Sequence, residues 1–276
     1  SGADLADEWA TPMPLAWQVT EDLHNPPHYP LTSDVARHTG DAVAVVLAHT
    51  MLQAHDAREQ IVVDYEPLPA VLDLEEALKD EVLVHEGEGT NKAYTWELKI
   101  GEEAVEAAFA SAAHIVKERY IQQRLVPMAM EPRASAAVPQ PFGGDVTLYT
   151  ATQIPHILKV MASITLGIPE HQLRVVAPSV GGGFGSKLEV YGEELLCIAL
   201  ARRLGVPVRW VEERSENAHA TIHGRGQIQD IELAADADGK LQAVRVNLLA
   251  DMGGYFMLLT PGIPLLGAFL YAGVYD

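Results

Sequence analysis

The run Ser179-Val180-Gly181-Gly182-Gly183-Phe184-Gly185-Ser186-Lys187 holds the residues best suited to chemistry in this chain. With side chains missing at Gly181, Gly182, Gly183 and Gly185, backbone N–H groups can come close to a ligand. The apolar stretch Leu173–Ala177 before it predicts a strand. The helical pattern after it predicts a helix N-terminus, whose partial positive charge favours an electron-rich group. Nucleotide motifs do not fit. A phosphate-binding loop needs Gly-x-x-x-x-Gly-Lys-Ser/Thr, and Ser186 separates Gly185 from Lys187. A dinucleotide fingerprint fits at Gly181 and Gly183 but finds Ser186 at its third glycine. A glycine-rich turn where backbones cross, with no ligand, fits the composition as well.

Other candidate groups are weaker. His24 and His28 are four residues apart, but Pro26, Pro27 and Pro30 oppose a shared helix face. His219 and His223 have the same spacing and would share a face if helical, with no third ligand in spacing. Cys197, the single cysteine, rules out an internal disulfide and any four-cysteine cluster within this chain. It lies in an apolar helical pattern, reads as a buried small hydrophobe, and points to a cytoplasmic setting. Lys187 reads as a solvated lysine at a helix start.

The elements that position these groups are of mixed α and β type. The 276 residues allow one large or two ordinary domains, and 48% hydrophobic content supports a packed core. A net charge of −19 argues against nucleic acid or anionic membrane as partner. Ser1-Gly2-Ala3-Asp4 does not open a secretory leader. Val43–Leu47 as a buried strand, a helix over 51–60 and Ile61–Tyr65 as a second strand predict a βαβ-like unit. A short helix is expected over 74–79, a linker over 85–101 and a helix over 102–113. Beyond Pro132 the pattern is mostly strands, with helices over 155–166 and 193–204 stopped by Gly167 and Gly205. Asp236-Ala237-Asp238-Gly239-Lys240 predicts a hairpin. Residues 252–275 carry no charge, but their glycines and prolines interrupt a membrane span and read as buried chain.

Several strings match one family in order. They are Gly40–Val46, Val63–Pro69, Val126-Pro127-Met128-Ala129-Met130-Glu131-Pro132-Arg133, Ala151-Thr152-Gln153-Ile154-Pro155-His156 and Gly181–Lys187. The chain resembles the large, molybdenum-cofactor-binding subunit of the molybdenum hydroxylases, in its carbon-monoxide-dehydrogenase-like branch. The resemblance implies an α+β fold: a partial hammerhead-like α/β domain over 1–84, the linker, then the N-terminal part of a molybdenum-cofactor-binding domain over 102–276. It implies molybdenum–molybdopterin as cofactor, with a cytosine dinucleotide form as one option. Gln153, Gly182, Gly183, Phe184 and Gly185 match the family's cofactor-contacting positions, with no catalytic or metal-ligating residue in this chain. A glutamine at a helix start also suits capping of the turn at Pro155. Glu131 and Arg133 suit a charge-paired structural role or a cofactor contact. Leu188 stands where purine-oxidising relatives have glutamate.

The implied activity is molybdopterin-dependent oxidation of carbon monoxide or an aldehyde, with water as the oxygen source in the hydroxylases. The family's general base and the loop facing the metal find no matching position here. The chain is therefore expected to be a fragment or one piece of a split subunit, inactive alone. Expected partners are the remaining large-subunit polypeptide, an iron–sulfur subunit and a flavin (FAD) subunit, in a hetero-oligomer. A non-catalytic scaffold or assembly module retaining the fold is the alternative.

Overall fold

Local signals account for most helix ends. The computed structural model describes residues 1–141 and 145–273. Helix α1 (Met51–Arg58) starts at Thr50, whose hydroxyl accepts from the Gln53 N–H. Helix α2 (Leu74–Ala77) starts at Asp73, which accepts from the Glu75 and Glu76 N–H groups. Helix α3 (Glu102–Ser111) buries Phe109 beneath the Arg245 guanidinium. Strands β1 (His114–Leu125), β2 (Ala134–Pro139) and β3 (Val146–Thr150) follow. Helix α4 (Pro155–Leu166) opens with proline in its first turn and ends at Gly167, left-handed at φ 63°. After β4 (Leu173–Val176), helix α5 (Gly192–Leu204) ends at Gly205. Then come β5 (Val208–Val211), α6 (Arg214–Ala220), β6 (Gly224–Ala235), β7 (Leu241–Ala250) and α7 (Gly262–Ala268).

Two sheets organise the chain. One has the order β1-β6-β7, all antiparallel, with the predicted hairpin joining β6 to β7. The other has the order β4-β3-β2-β5. Its β3 and β4 are parallel, so their connection through α4 is a βαβ crossover. Helix α5 is buried along eight consecutive residues, Glu194–Ala201, with its neighbours all around it. Its Leu195 and Ile198 meet Leu148 of β3 and Leu158 of α4 in the core. Leu5 and Leu31 from the N-terminal segment join the same core. Cys197 is buried there, and burial pushes its thiol up to about 12.

Three expectations change. Val43–Leu47 and Ile61–Tyr65 flank α1 as extended chain, but neither forms a ladder among the described residues, so no βαβ unit exists there. Residues 43–46 are only half-buried and Leu47 is exposed, so the first segment is not a buried strand either. An apolar run needs a neighbouring strand to satisfy its backbone before it becomes sheet. The uncharged C-terminal run is only half buried: Phe256, Leu258 and Leu265 are inside, while Phe269 and Leu270 are 53% and 76% exposed. Residues 274 and 275 of that run lie outside the described residues. No helix among the described residues is long and apolar enough to cross a membrane. The third change concerns the chain after the glycine run. Residues 184–187 form turns, and α5 begins only at Gly192. Left-handed φ values at Gly182 (94°), Phe184 (53°) and Gly185 (91°) break any helix there, so no helix dipole stands directly behind the loop.

Candidate functional site

The loop 179–187 is reached from two directions. Strand β4 delivers the chain to Ser179, and the β3–α4 connection brings Gln153 beside it. The Gln153 N–H donates to the Lys187 carbonyl at 2.8 Å, fixing the two backbones together. Its side-chain oxygen Oε1 then accepts from the Gly185 N–H at 3.1 Å and the Lys187 N–H at 3.2 Å. Two N–H donors aimed at one atom require the oxygen there, which fixes the amide's orientation. The Gln153 Nε2 points elsewhere and has no partner among the described residues. Helix-start capping is therefore not its role: Thr152 Oγ1 accepts from the Ile154 N–H at 3.1 Å.

Glycine is required at two positions by these contacts. A Cβ on Gly183 would stand 2.4 Å from Gln153 Oε1, and one on Gly181 would stand 2.6 Å from Glu131 Cβ. The N–H groups of Gly182, Gly183 and Phe184 find no partner among the described residues. Successive unpaired donors in an irregular turn are the raw material of an anion-accepting concavity. Phe184 holds its left-handed backbone with its ring 74% exposed, strain kept on an unburied aromatic.

One residue of the site, Lys187, was misread in the sequence, and another, Glu131, was left between a charge-paired structural role and a cofactor contact. Lys187 is not solvated: it is buried, and its ammonium donates to Glu131 Oε2 at 2.8 Å. The same carboxylate oxygen accepts from the Gly181 N–H at 2.7 Å, and the Glu131 N–H donates to the Gly181 carbonyl at 3.3 Å. Glu131 thus ties both ends of the glycine run to one point. The Lys187 hydrogen bond, aided by the Gly181 amide, holds its carboxyl below the usual range despite partial burial. The signal was the Met-Glu-Pro-Arg string, which gave the residue but not its partner.

Arg133 goes the other way. Its guanidinium donates to Glu212 Oε1 at 2.8 Å and to both Glu193 oxygens at 3.1 Å. It lies 3.8 Å from the Tyr191 ring centroid. Asn217 and the Arg133 N–H satisfy Glu212 Oε2. This is a closed structural network. Nearby, burial raises the Glu189 carboxyl to about 8 and the Glu194 carboxyl to about 7. Glu194 accepts from Thr150 Oγ1 and the Tyr191 N–H, whereas Glu189 Oε2 has no partner among the described residues. The histidine pairs separate: His24 meets Glu88, His28 stacks on Tyr255 at 4.1 Å, His219 sits on α6, and His223 contacts the Ala218 carbonyl.

Residues 84–276 match the molybdopterin cofactor-binding domain. The chain belongs to the molybdopterin cofactor-binding family. Its relatives include the carbon monoxide dehydrogenase large chain of Afipia carboxidovorans, 36% identical over 77% of this chain and 28% of that protein. The corresponding chain of Hydrogenophaga pseudoflava is 34% identical over 99% of this chain and 36% of its own length. Among solved structures, quinoline 2-oxidoreductase from Pseudomonas putida 86 superposes with a TM-score of 0.84 at 34% identity, covering 93% of this chain and 32% of that one. This family member thus spans about a third of the length of the relatives it matches. The glycine loop, Gln153 and Glu131 all lie inside the matched domain.

Proposed function

We propose that this chain builds one wall of the molybdopterin site in a molybdenum hydroxylase large subunit, carbon-monoxide-dehydrogenase-like or aldehyde-oxidising. The observation that carries the reading is the row of free N–H groups at Gly182, Gly183 and Phe184 beside the free Nε2 of Gln153. Such donors suit the oxygens of a metal-bound oxo group or a phosphate, and bare glycines let those oxygens approach. The exposed Phe184 ring offers a flat apolar contact to the cofactor. When bound, the cofactor supplies the two-electron oxidation chemistry. The chain's own contribution is to hold: Gln153 Oε1 pins the loop while Nε2 donates outward, and Glu131 with Lys187 keeps the amides aimed. Nothing in the loop is a candidate base. Glu131 is ion-paired with its carboxyl held low, so it stays unprotonated and engaged.

In this reading residues 1–84 form the hammerhead-like part, 85–101 the connection and 102–276 the first part of the cofactor domain. Further large-subunit polypeptide, an iron–sulfur subunit and a flavin subunit complete the enzyme in the cytoplasm. The cofactor is held in its plain or cytosine dinucleotide form. The isolated chain is expected to hold substoichiometric molybdenum and show no turnover with an artificial electron acceptor. Full metal occupancy with turnover in the isolated chain would overturn the one-wall reading. For the cofactor assignment itself, pterin released on denaturation is the readout. Gln153→Ala is expected to lower retained pterin at least tenfold, and unchanged retention would count against the site.

A further inference from the structure

The chain between β1 and β2 has no sheet partner to hold it. Residues 126–133 belong to no helix and no ladder, yet they carry Glu131 to the glycine loop. A backbone outside a ladder must find its hydrogen bonds elsewhere, and here side chains and the loop itself supply them. The Arg133 N–H donates to Glu212, and the Glu131 N–H to the Gly181 carbonyl. The two carbonyls before Glu131 are taken by one side chain. Arg214 donates from Nη1 to the Ala129 carbonyl at 2.8 Å and from Nη2 to the Met130 carbonyl at 3.0 Å. Its Nη1 also donates to Asn217 Oδ1 at 3.3 Å, and Asn217 in turn donates to Glu212. Ala129 lies against the middle of the glycine run: a Cβ on Gly182 would stand 3.4 Å from the Ala129 Cβ.

Neither helix α6 nor an ion pair accounts for this arginine. Arg214 is the first residue of α6, the end at which the helix dipole disfavours a cation. The helix start is served instead by Glu213 and Glu216, which form a capping box. Arg214 is in no ion pair among the described residues, although Asp and Glu number 38 against 19 Lys and Arg. A guanidinium holds its donors in a fixed planar fork, so it takes two successive carbonyls only when both are held in one orientation. We propose that Arg214 is a positioning residue of the cofactor site. It clamps the Ala129 and Met130 carbonyls and so sets where the next residue, Glu131, meets the Gly181 N–H and the Lys187 ammonium. Through Glu131 it fixes the start of the run that carries the Gly182, Gly183 and Phe184 amides. For its ligand this role rests on the molybdopterin reading; the clamp itself is tested without one.

Amide hydrogen exchange on the whole chain tests the clamp. In Arg214→Ala the Gly181 and Glu131 amides are expected to exchange about fivefold faster, the scale of one lost hydrogen bond. The Gly185 and Lys187 amides, held by Gln153, are expected to keep their rates, as is the Leu158 amide inside α4. Arg214→Lys should fall between wild type and Arg214→Ala, because an ammonium is a point donor and does not span both carbonyls as a fork does. Unchanged Gly181 exchange in Arg214→Ala would overturn the proposal. So would equal quickening at Leu158, which would make Arg214 a general stabiliser, or full rescue by lysine, which would leave no part for the fork. Retained pterin then connects the clamp to the ligand, with Gln153→Ala as the reference. Retention is expected to fall about fivefold in Arg214→Ala, again the scale of one hydrogen bond. A fall in Gln153→Ala with none in Arg214→Ala would overturn the positioning role. No fall in either variant would count against the molybdopterin reading, and the exchange rates alone would then decide the clamp.

Discussion

Glu131 and Arg133 stand two residues apart and serve clusters of opposite kind. Arg133 turns inward, where Glu193, Glu212 and Tyr191 satisfy its guanidinium from every side. Glu131 turns toward the glycine loop, where it fixes both ends of the run and leaves the Gly182, Gly183 and Phe184 amides between them without a partner among the described residues. Pro132 makes the divergence easy, because it holds an extended or turn backbone between them. A closed polar network spends all its hydrogen-bonding capacity on the fold. An open one keeps donors in reserve for something that arrives later. The difference predicts that damage to the first cluster is felt as stability and damage to the second as ligand binding.

The largest test of this contrast is Arg133→Ala. It leaves the fully buried Glu212 carboxylate without its cation, a loss of about 3–5 kcal/mol by analogy with other broken buried pairs. Denaturant unfolding measures it. A loss below about 1 kcal/mol, the scale of an exposed pair, would mean that the network is not the fold's anchor.

Gly183→Ala is expected to come next in stability and first in binding. Its new methyl collides with Gln153 Oε1, an overpacking cost of about 1–3 kcal/mol, and forces the amide off the loop. Retained pterin should fall at least tenfold while the chain still folds. Equal retention at reduced stability would place the loop with the structural cluster and break the comparison.

The third test uses pH. Burial raises Glu189 to about 8, above an unfolded carboxyl near 4.5. The folded state then holds a proton that the unfolded state releases, so stability is greatest at acid pH and falls as pH rises from about 4.5 toward 8. Glu194, raised to about 7, has the same sign. Glu189→Gln removes the ionisation and is expected to flatten this decline, raising Tm at pH 8 by about 2–4 °C per kcal/mol relieved. A variant whose melting curve keeps the wild-type pH slope would remove Glu189 from the account.

The smallest expected effect is that of Glu131→Gln. The carboxylate is partly exposed, and a glutamine oxygen there can still accept from the buried Lys187 ammonium, so the loss is about 1 kcal/mol. Global stability should barely move, but Gly181 amide exchange should quicken and retained pterin should drop. Because Lys187 holds this carboxyl low, its contribution is present above the ordinary carboxylate range and is lost only as pH falls below it. If Gly181 exchange is unchanged, Glu131 does not aim the loop.

Much of this was legible in the chain itself. Pro155 and Gly167 bracket α4, Gly205 ends α5, and Asp236–Lys240 joins β6 to β7, because capping and turn chemistry act over a few residues. The glycine loop was legible as bare backbone from its residues, and its order after Gln153 carried the family resemblance. The two strands expected around α1, the first of them buried, were not borne out, since ladders and burial depend on neighbours that periodicity does not identify. Lys187 was misread for the same reason: a lysine's exposure is decided by whether a carboxylate waits for it. Glu131, 56 residues away, does.

The sequence by itself determined the element ends, the bare backbone at Gly181–Gly185 and membership of the family. Those depend on residue type and short spacing. Only the tertiary structure decided that Gln153 faces the loop through its oxygen, that Glu131 and Arg133 part company, and that Lys187 is buried against Glu131. Each of those turns on which groups meet across long stretches of chain, where charge, burial and hydrogen bonding are settled in space.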